Sequence, residues 1–135
     1  MDWKLELIIV PASDVDRSKQ FYAEQVGFAV EVDRQAGDFR IVQLTPPGSA
    51  CSITLMRMPD EAGSLGGLHL IVDDIEAALA HLVQGGVQAA GPFHFDAGSR
   101  VDGLHPGRGN YETFLCFDDP DGNQWMVQEV GHAGG

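Results

Sequence analysis

Basic residues are scarce in this sequence: eight Lys and Arg stand against 20 Asp and Glu, a formal net charge of -12. Nucleic-acid phosphates call for clustered Lys and Arg, so the deficit argues against a nucleic-acid partner. It also disfavours an anionic membrane surface. Long apolar runs are missing too. No stretch approaches the ~20 residues of a membrane-spanning helix, and the opening Met1-Asp2-Trp3-Lys4 lacks the layout of a signal peptide. Cysteine occurs only as Cys51 and Cys116, both in apolar, strand-like runs, which reads as two reduced core thiols of a cytoplasmic protein. Several catalytic signatures are absent. There is no Gly-x-Ser-x-Gly elbow. Gly107-Arg108-Gly109-Asn110 lacks the Lys-Ser/Thr and the following helix of a phosphate loop. Asp118, Asp119 and Asp121 are broken as a calcium loop by Pro120 and by a missing distal Glu.

What is present suffices for a core: 135 residues, 44% hydrophobic and 21% charged, fit one domain or two small modules sharing one core. An internal repeat divides them. Leu7-Ile8-Ile9-Val10 stands opposite Gly67-Leu68-His69-Leu70, and Ser13-Asp14-Val15-Asp16 opposite Asp73-Asp74-Ile75-Glu76. Each copy reads as strand, helix, strand. Asp73 or Asp74 caps the second helix, whose apolar stripe is Ile75, Ala78, Leu79, Leu82 and Val83, and Gly85-Gly86 stops it. The first helix starts at Ser13 or Asp14 and ends at Gly27, with Phe21 and Tyr22 as packing residues. Strands are expected at Val30 to Asp33, Phe39 to Leu44, Ser52 to Met58, Tyr111 to Phe117 and Gln124 to Val130. The second copy carries about fifteen extra residues. They fall within 91–110, which has no clear periodicity and is expected as a long loop acting as lid or rim.

The run Val10-Pro11-Ala12-Ser13-Asp14-Val15-Asp16-Arg17-Ser18-Lys19-Gln20-Phe21-Tyr22, with Gly27-Phe28 following, resembles the opening of vicinal-oxygen-chelate proteins, the glyoxalase, bleomycin-resistance and extradiol-dioxygenase superfamily. Val72-Asp73-Asp74-Ile75-Glu76-Ala77 and Asp119-Pro120-Asp121-Gly122-Asn123 are similar to its later marks. The resemblance implies an α+β fold: two βαβββ modules, about 1–60 and about 64–131, whose mixed sheet curls into a cup within a single domain, 1–135. It also implies a small-molecule ligand and a homodimer.

Members of that family commonly hold a divalent metal. Carried over, its ligand positions are Leu7, Ser52, Gly67 and Met126, none of which is a competent ligand. A displaced site would rest on His69 and Glu129, and strand parity puts Glu129 on the opposite face from Met126. The expectation is therefore no metal cofactor.

The same parity lines the cup with Leu5, Leu7, Ile9, Ala50, Ser52, Thr54 and Met56 from the first module. The second adds Gly67, His69, Ile71, Gln124, Met126 and Gln128. That is an apolar wall with sparse polar groups, the general design of a small-molecule pocket. His69 is the candidate catalytic residue, a buried imidazole able to act as general base, or else to bond Thr54 or Gln128 and fill space. Arg100 and Arg108 are the loop residues able to take a carboxylate or enolate bidentately. Two functions follow. One is a sequestering module of the bleomycin-resistance kind; the other is a metal-independent lyase or isomerase using His69. The alternative is a metal-dependent lyase, isomerase or dioxygenase with a displaced site.

Overall fold

Asp14 turns the chain from its first strand into its first helix. In the computed structural model, which describes residues 1–132, its backbone is extended and its carboxylate accepts a bond from the Arg17 N–H at 3.1 Å. The last three residues, included in the 1–135 reading, lie outside the description. β1 (Leu7–Ala12) precedes this cap and α1 (Val15–Gln20) follows it, continuing as one π-helical segment (Phe21–Val26) to Gly27. β2 (Ala29–Ala36), β3 (Phe39–Thr45) and β4 (Ser52–Arg57) complete the first sheet in the order β1-β4-β3-β2, with β1 parallel to β4 and the other pairs antiparallel. Pairing Val10 with Leu55 and Leu55 with Val42 puts these side chains on one face, where all three are fully buried. α1 packs on β3 and β4, and each such side chain contributes about 1.5–3 kcal/mol by leaving water.

This first compact unit comprises Met1–Leu65 together with Asp119–Asn123. The latter segment is held by a buried network. Asp119 Oδ1 accepts from the Asp121 and Asn123 N–H groups, both at 2.9 Å, while Oδ2 accepts from the Tyr22 hydroxyl at 2.7 Å and the Asn123 amide at 2.8 Å. Asn123 also donates to the Pro11 carbonyl and accepts from the Leu65 N–H. Gly63 admits the turn: a Cβ there would lie 2.2 Å from the Asp121 carbonyl oxygen. The acidic surplus in this segment serves the fold.

The second unit comprises Gly66–Asp118 and the described chain from Gln124 on. It contains β5 (Leu68–Val72), α2 (Ile75–Gln84), β6 (Ala89–Asp96), β7 (Ser99–Asp102), β8 (Phe114–Asp118) and β9 (Gln124–Glu129), with sheet order β5-β9-β8-β6-β7. Asp74 caps α2 by accepting from Glu76 and Ala77 N–H, both at 3.1 Å. Ile75 and Leu82 are buried, whereas Val83, expected on the same stripe, is 61% exposed. Without β7 the order repeats that of the first sheet, so the excess of the second copy is β7 and the segment after it.

The stretch 91–110 is thus only partly the irregular loop expected; β6 and β7 form a hairpin, with Phe93 opposite Asp102 and Phe95 opposite Arg100. Two features hide it from periodicity. All four β7 residues are exposed on an edge strand, so no apolar alternation is needed. The pairing of β6 with β8 also shifts register between Ala90 and Phe93, which breaks the alternation of β6. Among the described residues no helix is long and apolar enough to cross a membrane.

Candidate functional site

The second sheet presents a concavity of about 340 Å³, within the range of small-molecule sites. Strand pairing builds it in rows. At one end Asp118 pairs with Gln124, beside Gly67. In the middle Met126 lies between His69 of β5 and Cys116 of β8. At the other end stand Phe93, Phe95 and Arg100. The Phe93 ring is edge-on to Phe95 at 5.8 Å and tilted against Phe114 at 5.7 Å. The Arg100 guanidinium lies over Phe93, its central carbon 3.7 Å from the ring centre.

Of the residues expected at the site, Gly67, His69, Gln124, Met126 and Arg100 line this concavity together. Gln128, paired with Phe114, is half-buried one row further along the same face as Met126. His69 is exposed, and its Nδ1 lies 2.7 Å from the Gly67 carbonyl oxygen. It is thus neither buried nor bonded to Thr54 or Gln128, because β5 is an edge strand with one hydrogen-bonded neighbour.

Leu7, Ile9, Ser52 and Thr54 belong to the first unit, where Leu7 pairs with Ser52 and Ile9 with Thr54. Ser52 Oγ lies 2.7 Å from Thr45 Oγ1, and Thr54 Oγ1 is buried without a hydrogen-bond partner among the described residues. Ala50 lies outside β4 and is exposed.

Arg108 is not among the residues of the concavity. It is bound to Glu129, which lies on the opposite face of β9 from Met126, as parity requires of an uninterrupted strand. Glu129 is 0% exposed and also accepts from the Ile75 N–H at 2.8 Å. Arg108, hydrogen bonded to it, holds the Glu129 carboxyl below its ordinary range. A buried carboxylate calls for a cation, so the inward parity of Glu129 was a signal that one loop arginine was already committed.

Cys116, expected in the core, is half-buried and lines the concavity. A symmetric hairpin about the 119–123 turn pairs Cys116 with Met126, so the face of one follows from the face of the other. Cys51, likewise expected in the core, is half-buried just before β4. Phe93 and Phe95 escaped notice because the bulge in β6 hides their shared face. That bulge depends on Gly91, whose φ is 125° and where a Cβ would lie 2.9 Å from the Phe114 carbonyl oxygen. Among the described residues no three His, Cys, Asp or Glu side chains are grouped to hold a metal ion.

The family model for the glyoxalase/bleomycin resistance protein/dioxygenase superfamily matches residues 4–127. Solved structures agree. TnmS3, an antibiotic binding protein from Streptomyces sp. CB03234, is 32% identical with a TM-score of 0.76, covering 95% of this chain and 96% of its own. A glyoxalase/bleomycin resistance protein from the same organism is 33% identical with a TM-score of 0.73, covering 93% and 100%. A superfamily member from Sphaerobacter thermophilus DSM 20745 is 27% identical with a TM-score of 0.73, covering 95% and 98%. No curated protein sequence matches the chain.

Proposed function

The chain belongs to the glyoxalase/bleomycin resistance protein/dioxygenase superfamily, and from that membership we propose that it sequesters a small, largely apolar organic molecule without metal and without turnover. One observation carries this reading: the concavity pairs an aromatic and thioether floor with polar groups that lack a catalytic arrangement. His69 and Cys116 flank Met126 on either side, which sets them roughly 10 Å apart across two strand spacings, beyond the reach of a nucleophile and its base. The ring partner of His69 is the Gly67 backbone carbonyl, not a carboxylate of the kind that orients a catalytic histidine. The antibiotic-binding relative, at 32% identity over nearly the whole chain, supports binding as the activity.

The metal-dependent alternative has no support in the donor chemistry. Leu7, Gly67 and Met126 offer no hard or borderline ligand, and the Ser52 hydroxyl is engaged by Thr45. A metal-independent lyase or isomerase is the second reading, favoured by the exposure of the His69 ring to the concavity. The partner proposed besides the ligand is a second copy of the chain. β1 and β5 each have one hydrogen-bonded neighbour, and Ile9 and Ile71 are 46% and 62% exposed on them. The two free cysteines support a reducing, cytoplasmic setting.

Native mass spectrometry of protein purified without chelator tests the reading. The expected result is an organic adduct of unaltered mass after prolonged incubation, with no stoichiometric metal. Conversion of the adduct by the wild type but not by His69→Ala would establish catalysis instead. One equivalent of Ni, Zn, Mn or Fe would restore the metal-dependent alternative.

A further inference from the structure

Arg100 differs from three other arginines of the chain in what its donors meet. Arg40 is held by Asp33 and Asp16, Arg17 by Asp121 and Ser13, and Arg108 by Glu129 and Glu76. Among the described residues no acceptor meets Arg100; its recorded contact is the face of Phe93. The contact with the ring holds the guanidinium through its charge, and among the described residues its five N–H donors are left without a protein acceptor. The ring beneath is fixed, since Phe93 is buried and wedged between Phe95 and Phe114. The fork is therefore positioned before any ligand arrives, which lowers the entropy lost on binding.

An oriented, unpaired guanidinium beside an aromatic floor recognises a particular chemistry. We propose that this concavity selects planar arenes bearing a carboxylate, the ring system packing along Phe95 and Met126 while Arg100 takes the two oxygens as a bidentate pair. This inference rests on the binding reading above and names the ligand class. Asp118 sets the orientation. It stands at the opposite end of β8 from Phe114, four residues or about 13 Å away by strand rise, and repels an anionic group from that end. The selection runs against the net charge of -12, which favours cations over the surface as a whole. At physiological salt the screening length is about 8 Å, so a direct contact with Arg100 outweighs the acids beyond that range; Asp102, two residues along the same face of β7, is the acid within it.

Calorimetric titration of the full chain with 2-naphthoate and its neutral isostere 2-naphthamide, at pH 7 and physiological salt, separates the possibilities. The acid is expected to bind the wild type about tenfold more tightly than the amide. Arg100→Gln should abolish that preference by weakening naphthoate about tenfold more than naphthamide, and Arg100→Lys should keep part of it, since a lysine retains charge without the fork. Equal affinities for acid and amide in the wild type would overturn the inference and leave the binding reading standing. So would equal weakening of both by Arg100→Gln, which would make Arg100 a wall of the pocket. Failure of both arenes to bind the wild type would overturn the ligand class, while an organic adduct of unaltered mass in native mass spectrometry would still uphold the binding reading.

Discussion

Arg108 closes on Glu129 with two sides of its guanidinium: Nε lies 3.1 Å from Oε1 and Nη2 lies 2.7 Å from Oε2. The carboxylate it holds is fully buried and also accepts from the N–H of Ile75, the first residue of α2. One ion pair thus ties the segment after β7 to β9 and to the start of α2.

Replacing Glu129 with Gln is expected to destabilise the protein by about 1–3 kcal/mol, because the bond to Ile75 can persist while the charge that balances Arg108 is lost. Arg108→Met should lower the melting temperature as well, by leaving the Glu129 carboxylate buried without its counter-ion. Thermal denaturation followed by circular dichroism measures both. An unchanged melting temperature in either variant would remove the pair from the account of stability.

The same pair predicts a pH dependence. Arg108 donates to Glu129 and keeps its folded-state carboxyl below the ordinary value of 4.5, against the opposing effect of burial. A depressed carboxyl stabilises the fold above its unfolded value and loses that contribution as pH falls through the folded one. Wild-type stability should therefore decline below about pH 4.5, and Glu129→Gln should flatten that decline. Asp33, lowered by bonds from Arg40 and Lys19, adds to the acid limb in the same direction, so the variant should retain part of it. Denaturant titrations between neutral pH and about pH 3 give the two slopes.

Tyr22 and Asn123 make a second test, of the buried network around Asp119. Tyr22→Phe removes one donor to Asp119 Oδ2, which keeps the Asn123 amide, so a loss of about 1–2 kcal/mol is expected. Asn123→Ala removes bonds to Asp119, Pro11 and Leu65 at once and should cost more, about 2–4 kcal/mol. Urea unfolding curves rank the two. A larger effect from Tyr22→Phe would mean that the network is organised around the phenol instead of the amide.

Both helix caps were readable from sequence because Asp14 and Asp74 act on backbone groups two or three residues away. The inward set Gly67, His69, Gln124 and Met126 was readable because strand parity is local. Arg100 and Arg108 were not distinguishable by composition, since each follows a glycine-containing stretch of similar polarity. What separates them is tertiary: β7 carries Arg100 to Phe93, while Arg108 is drawn to a buried carboxylate across the sheet. β7 itself left no trace, because an edge strand with four exposed residues has no apolar period to find.

Gly91 links the fold to the concavity. Its φ of 125° and its approach to the Phe114 carbonyl leave no room for a side chain. Gly91→Ala should therefore shift the bulge that carries Phe93 and weaken naphthoate and naphthamide binding alike, unlike Arg100→Gln, with a stability loss of about 1–3 kcal/mol. Calorimetry on the variant, with its melting curve, checks both parts. A variant that binds normally would show that Phe93 does not depend on the bulge.

The exposed edges offer the last prediction. Ile71 on β5 is 62% exposed, and that strand bonds to β9 alone. Apolar side chains on an open strand edge favour pairing with another chain. If a second copy covers this edge, Ile71→Asp places an unpaired carboxylate in the interface, which is costly to desolvate, and the variant should become monomeric at micromolar concentration. Light scattering coupled to size-exclusion chromatography is expected to give about 29 kDa for the wild type, twice the chain mass of 14.5 kDa, and a single chain for the variant. Glu129 and Asp119 lie on other elements, so the monomer should keep its secondary structure. A monomeric wild type would refute the second copy as partner, and a dimeric Ile71→Asp would show that β5 is not where the copies meet.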